Sequence, residues 1–198
     1  MEARMIIIVA ITGATGSIYG IRLLETLSKI KDMQTHLVIS EAGEVTIKHE
    51  TGRTIKEIRK LADYCYEIDD IGARISSGSF QRDAMIIAPC TVKTMSGLAH
   101  SYNENLIIRA GDVTLKERKK LLLVFRETPY HIGHLRSMAQ LTEMGAIIMP
   151  PVPAFYHKPK TVNDIVDYTV GKMLDILSIK HNLYKAWQGI GKEGEPIC

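Results

Sequence analysis

Met5-Ile-Ile-Ile-Val-Ala-Ile11 runs directly into Thr12-Gly13-Ala14-Thr15-Gly16-Ser17-Ile18-Tyr19-Gly20, and this stretch decides the fold. Its first seven residues are apolar and rich in β-branched side chains, and they stop at a glycine loop. That pattern reads as a strand buried on both faces, the usual condition of a strand in a parallel sheet. From 18 to 30 the leucines and isoleucines recur at helical spacing, so the loop opens a helix and the stretch is the first half of a βαβ unit. Free amides and the dipole at such a helix start suit an anionic phosphate. The glycine spacing is GxxGxxxG, not the GxGxxG of dinucleotide sites, and glycines also serve to let a helix pack tightly on a strand. The position of the loop favours a phosphorylated cofactor over packing alone.

Outward from this unit, short apolar runs at 35–40, 84–88, 121–124 and 146–149 read as further strands, with a weaker one at 64–67. Helical patterns fill 41–49, 54–61, 91–98, 104–116 and 131–143 between them. The expectation is an α/β chain, a doubly wound parallel sheet of five or six strands in three α/β/α layers, similar to the Rossmann arrangement. Pro150-Pro151-Val152-Pro153 forbids both ladder and helix. Thr161 then suits the N-cap of a closing helix to about Leu177, and 189–198 is a polar tail. All 198 residues read as one domain, with that C-terminal helix and tail from about 161.

At 45% hydrophobic and 24% charged residues, the composition is that of a globular protein and sets aside disordered, coiled-coil and membrane classes. A net charge of +3, with acids interleaved in Lys116-Glu117-Arg118-Lys119-Lys120, argues against nucleic acid. The apolar start at Met5 is too short to span a bilayer and lacks the flanks of a signal peptide, so a cytoplasmic location is expected. Cys65, Cys90 and Cys198 show neither a CxxC nor a Cys/His ligand spacing. They are expected reduced, with no metal site.

A doubly wound sheet places its ligand beyond the carboxyl ends of the strands, which selects the loops to read. Ser40 ends the second strand and suits an N-cap. Glu50, in His49-Glu50-Thr51-Gly52, stands near a helix C-terminus, where the dipole disfavours an acid; taken alone it reads as facing solvent. Ile75-Ser76-Ser77-Gly78-Ser79-Phe80 suits a loop that wraps a flat ligand, or an ordinary turn. Ala88-Pro89-Cys90-Thr91-Val92-Lys93-Thr94 is a second strand end opening a helix, with hydroxyls for a phosphate. Cys90 has no evident base beside it and reads as packing. Arg126 and Glu127 follow an apolar strand and so fall at its carboxyl end. Arg109 and Lys116 stand seven apart on one helix face, which suits either a shared anion or a salt-bridged surface.

In this order and spacing, TGATG, ISSGSF, APCTVKT, the run Arg109-Ala-Gly-Asp-Val-Thr-Leu-Lys116-Glu-Arg, Leu-Val-Phe-Arg126-Glu-Thr-Pro and Pro153-Ala-Phe-Tyr156-His157 resemble the UbiX-type flavin prenyltransferases. The resemblance runs from about Met5 to Trp187 and implies a flavoprotein fold. It implies a transferase that joins dimethylallyl from dimethylallyl monophosphate to N5 and C6 of reduced flavin mononucleotide (FMN). The product, prenylated FMN, would serve a UbiD-type decarboxylase. Carried over by position, Gly13, Ala14, Thr15, Ser40, Thr91, Val92, Lys93, Thr94 and Arg126 contact FMN. Tyr156 and Lys172 contact the donor phosphate, with Arg109, Lys116 and Glu127 completing that pocket. Glu50 is the acid–base residue, passing protons through the Thr15 hydroxyl, and Trp187, Tyr156 or the flavin itself offers a π face to an allylic cation. Members are typically dodecamers with sites shared between subunits. Thr15 replaces a serine of many members and Lys172 an arginine of several; the hydroxyl survives the first change and the point charge the second.

Two alternatives stand beside this reading. TGATG with Tyr168-Thr-Val-Gly-Lys172 also fits an NAD(P)-dependent short-chain reductase, although Tyr–Lys pairs one turn apart are common on amphipathic helices. His49 suits a flavin-dependent cysteine-type decarboxylase that uses a histidine after the first helix.

Overall fold

The computed structural model describes residues 4–185 and Gly189. It divides into two compact units, 1–151 and 152–198.

The first unit is a six-stranded sheet in the order β3-β2-β1-β4-β5-β6, and every adjacent pair is parallel. The strands are β1 (Met5–Ile11), β2 (Met33–Ile39), β3 (Tyr64–Tyr66), β4 (Ala84–Cys90), β5 (Lys120–Phe125) and β6 (Ile147–Ile148). Between them run α1 (Ser17–Leu27), α2 (Glu41–Thr51), α3 (Ile55–Arg59), α4 (Val92–Ala99), α5 (Leu106–Lys116) and α6 (Ile132–Glu143), with a 3-10 turn at Arg74–Ser76. The weak strand at 64–67 therefore exists and makes six. Helix α1 stops three residues short of the expected 30, and Asn105 caps α5 two residues later than the expected start by accepting from the Ile108 amide.

Strand residues alternate between two layers, as the pleat requires. Ile8 and Ala10 of β1 pair with Met85 and Ile87 of β4, which pair with Leu121 and Leu123 of β5. All six join one core with Met95 and Leu98 of α4 and Ile107 and Ile108 of α5. Such a fully buried isoleucine makes truncation costly: Ile87→Ala is worth about 2–5 kcal/mol. On the other side of the sheet α1 packs closely on β4, since a Cβ on Gly20 would lie 2.2 Å from the Ala88 carbonyl oxygen. That glycine is spent on packing. Pro89 falls where the β4–β5 register slips, between Ile87 and Cys90, so its missing N–H interrupts little of the ladder.

The order of strands reverses at β1: the chain goes from β1 to β2 and β3 on one side, then crosses to β4 on the other. Loops from β1 and β4 consequently diverge and leave a crevice at their carboxyl ends.

The second unit contains α7 (Val162–Ile176). Thr161 caps it reciprocally with Asp164, accepting from the Asp164 amide while the Asp164 carboxylate accepts from the Thr161 amide. No helix among the described residues is long and apolar enough to cross a membrane. Trp187 and Cys198 lie outside the described residues.

Candidate active site

The crevice between the β1 and β4 loops is tied at its base by Thr12. Its hydroxyl donates to the Pro89 carbonyl at 2.7 Å and accepts from the Thr91 amide at 3.0 Å. Above this tie lies a cavity of about 430 Å³. Gly13, Ser40, Thr91, Lys93 and Thr94, all expected from the sequence, line it. Ile68, Asp69, Glu104, Asn105 and Ile107 also line it and escaped the sequence reading. The polar segment ahead of the Asn105 cap was the available signal for the last three, while Ile68 and Asp69 arrive only through the pairing of β3 with β2. Across the cavity Lys93 pairs with Glu104 at 3.3 Å.

Two helix starts face this end of the sheet. Helix α4 is capped by Thr91, whose hydroxyl oxygen accepts from the Thr94 amide at 3.3 Å. The first-turn amides of Val92 and Lys93 have no carbonyl within the helix to bond, which suits an anion there. Val92, expected at this site, lines instead a different cavity beside α6.

Helix α1 begins instead with an anion supplied by the chain. Gly16, at φ +98°, turns the loop so that successive amides converge. The Glu50 carboxylate, from the last turn of α2, accepts from the amides of Gly16 at 3.0 Å and Ser17 at 2.9 Å, from the Ser17 hydroxyl at 2.7 Å and from the Thr15 hydroxyl. Glu50 is exposed yet fully engaged, which corrects the reading of an acid merely facing solvent. Burial alone would raise its pKa; the hydrogen bonds from Thr15, Ser17 and Gly16 outweigh that and hold it below the usual carboxylate range. Ser17, buried at the end of that loop, is a partner the expected site set did not include. The first loop thus binds a carboxylate at the very amides expected to meet a phosphate, and the Thr15 hydroxyl meets Glu50.

Of the cationic set, Arg126 is exposed immediately beyond β5, and Glu127 accepts from the Thr128 amide at 2.9 Å. Arg109 donates through Nε to the Ser76 carbonyl at 3.2 Å and pairs with Asp112 at 3.4 Å. Lys116 pairs with Glu117, and both lie against Gly78 of the serine loop, where a Cβ would come 2.4 Å from the Glu117 oxygen. Lys116 precedes β5 and Arg126 follows it, so one strand length, roughly 17 Å, stands between the ends of the sheet they occupy. A single chain does not bring these two cations together. Arg82, missed from sequence, anchors the serine loop from below, donating to the carbonyls of Ile75 at 3.0 Å and Ala110 at 3.4 Å, and to that of Ser77.

In the second unit Tyr156 and Tyr168 share a hydroxyl–hydroxyl bond, and Lys172 pairs with Asp175 at 3.8 Å. The Tyr168 hydroxyl and the Lys172 ammonium are thus each directed to another partner, which removes the geometric basis of the reductase pair. Cys90 is fully buried, and burial pushes its thiol well above the usual range, so it packs and does not attack.

The flavoprotein family model matches residues 1–182. The flavin prenyltransferase UbiX of Escherichia coli K12 is 50% identical over 185 residues, covering 92% of this chain and 98% of the relative. The chain belongs to the flavin prenyltransferase family. A solved family member, AnUbiX (PadA1) in complex with FMN and dimethylallyl pyrophosphate, superposes with a TM-score of 0.93 at 45% identity, covering 95% of this chain and all of that one. A dodecameric FMN-dependent UbiX-like decarboxylase from E. coli O157:H7 gives 0.92 at 44% identity, covering 93% and 100%. These flavin prenyltransferase relatives span nearly the whole chain, so the flavoprotein fold and enzyme class expected from the six motifs hold. The cysteine-decarboxylase alternative yields to them, and His49 is simply exposed on α2.

Proposed function

We propose that this enzyme transfers the dimethylallyl group of dimethylallyl monophosphate to N5 and C6 of reduced FMN, releasing phosphate, and that a UbiD-type decarboxylase receives the prenylated FMN. The observation that carries the reading is the Glu50 carboxylate held by Thr15, Gly16 and Ser17 beside a cavity lined with hydroxyls at the β1–β4 crevice.

The hydroxyls and the Lys93 ammonium that line the cavity suit FMN as donors. Its phosphate belongs at the α4 start, on Thr91, Lys93, Thr94 and the Val92 amide, because Glu50 already takes the α1 amides. Gly13, Ala14 and Ser40 then flank the nucleotide, and Arg126 contacts it from β5. Reduced flavin supplies the two nucleophilic ring positions. Glu50 and Thr15 form a hydrogen-bonded pair through which a proton passes to and from the reacting edge, and Glu50 is ionised to accept the one that ring closure releases. Tyr156 and Lys172 hold the donor phosphate, whose charge grows as the allylic C–O bond breaks. Arg109, Lys116 and Glu127 complete that pocket. The strand length between Lys116 and Arg126 calls for a second copy of the chain to supply the first two, which fits an assembly such as the dodecamer of the relative.

The test is anaerobic incubation of the protein with reduced FMN and dimethylallyl monophosphate, followed by mass analysis of the flavin. A gain of one five-carbon unit is expected, and an unchanged flavin mass overturns the reading.

A further inference from the structure

Helix α7 places Tyr168, Lys172 and Asp175 at spacings of four and three, so their side chains share one face. The segment before the helix brings Tyr156 and His157 to this face, and the segment after it brings His181 and Tyr184. The Tyr168 ring lies between two others. It stacks on His157 at 4.7 Å and 12°, and tilts against Tyr184 at 4.7 Å and 52°. Its hydroxyl bonds that of Tyr156, which is 52% exposed. Tyr184 donates to Asp175, which also meets His181 Nε2 at 3.0 Å and the Lys172 ammonium at 3.8 Å. Tyr156 and Lys172 therefore stand at two ends of one aromatic and polar cluster whose central ring is Tyr168.

We propose that Tyr168 is a positioning residue that donates its hydroxyl proton to the Tyr156 oxygen, directing and polarising the Tyr156 O–H toward the donor phosphate. This rests on the assignment of Tyr156 to that phosphate under the proposed function. A phenol that accepts one hydrogen bond donates a stronger one, so charge growing on the leaving phosphate meets a better donor than an unassisted tyrosine. The bond to Tyr156 and then burial raise the Tyr168 pKa to about 12, so Tyr168 keeps its proton throughout the neutral range. Clamped between His157 and Tyr184, the ring has little rotamer freedom left to lose when the donor binds. Tyr156 itself is exposed, so its hydroxyl is accessible to a ligand while it bonds Tyr168.

Tyr168→Phe keeps the stacked ring and removes only the hydroxyl. Turnover of reduced FMN with dimethylallyl monophosphate is measured for Tyr168→Phe, Tyr156→Phe and the double variant, alongside FMN affinity and thermal midpoint. The expected result is a roughly tenfold loss of kcat/KM for the donor in Tyr168→Phe, the upper order of one hydrogen bond between neutral groups. FMN affinity and thermal midpoint stay unchanged, and the double variant is no slower than Tyr156→Phe alone. An unimpaired Tyr168→Phe beside an impaired Tyr156→Phe overturns this inference and leaves the proposed function standing. So does a double variant in which the two losses multiply, since Tyr168 would then act independently of Tyr156. An unimpaired Tyr156→Phe overturns the donor-phosphate assignment and this inference with it.

Discussion

The starts of α1 and α4 occupy equivalent places, each just beyond the carboxyl end of one of the two central strands, yet they treat negative charge in opposite ways. Helix α1, behind the glycine-rich loop, binds the Glu50 carboxylate of its own chain through two amides and two hydroxyls. Helix α4 caps itself with Thr91 and faces the cavity with Lys93 and its first-turn amides. The segment that looks most like a phosphate loop is spent on holding an acid, and the plainer Thr-Val-Lys-Thr is left for an external anion. The same physics of orphan donors and helix dipole thus holds a carboxylate of the chain at one start and leaves the other turned to the cavity.

The difference is most exposed to test at Glu50. Glu50→Gln is expected to lower single-turnover formation of the modified flavin by about 10²–10⁴-fold, the usual worth of a general acid–base group, while FMN affinity stays within a few-fold. If instead FMN affinity collapsed and turnover of bound FMN survived, the two helix starts would have to exchange roles. At α4, Lys93→Ala should weaken FMN binding about tenfold in a fluorescence titration and leave turnover of the bound flavin largely intact, as expected for loss of one charge-assisted contact.

A finer comparison is available at Thr15. Thr15→Ser should retain turnover within about threefold and Thr15→Ala should lose roughly tenfold, because only the hydroxyl reaches Glu50. The clamp also has a pH signature. Since the folded pKa of Glu50 is depressed, its stabilisation is present above the unfolded value of about 4.3 and disappears as pH falls through the lower folded value. Denaturant midpoints of the native protein and Glu50→Gln should accordingly converge in acid and separate toward neutral pH. The smallest effect belongs to Cys90→Ala, which is expected to leave turnover unchanged and to cost only the packing of a small buried side chain; a thiolate nucleophile would instead abolish activity.

Much of the fold was legible in the chain. Each of the strong apolar runs became a strand and the helical patterns between them became helices, because burial on both faces of a parallel sheet leaves a continuous hydrophobic record. The termini of α1 and α5 moved by two or three residues, where local caps such as Asn105 decide the boundary. The site was legible only in part. Gly13, Ser40, Thr91, Lys93 and Thr94 could be picked out because a rule of topology selects the loops at strand ends. Arg82 carries no such mark, since it lies ahead of β4 and its partners are backbone carbonyls.

The sequence by itself determined the strand–loop–helix order, the end of the sheet at which the cavity opens, and the polar residue types that line it. These depend on local periodicity and on where polar loops interrupt apolar runs. Only the tertiary structure decided what the glycine-rich loop does. Its amides close on Glu50 because the last turn of α2 comes back over the start of α1, a contact across 34 residues that no local pattern encodes. The structure likewise separated Lys116 from Arg126, since a strand between two loops sends them to opposite edges of the sheet however closely they follow one another in the chain.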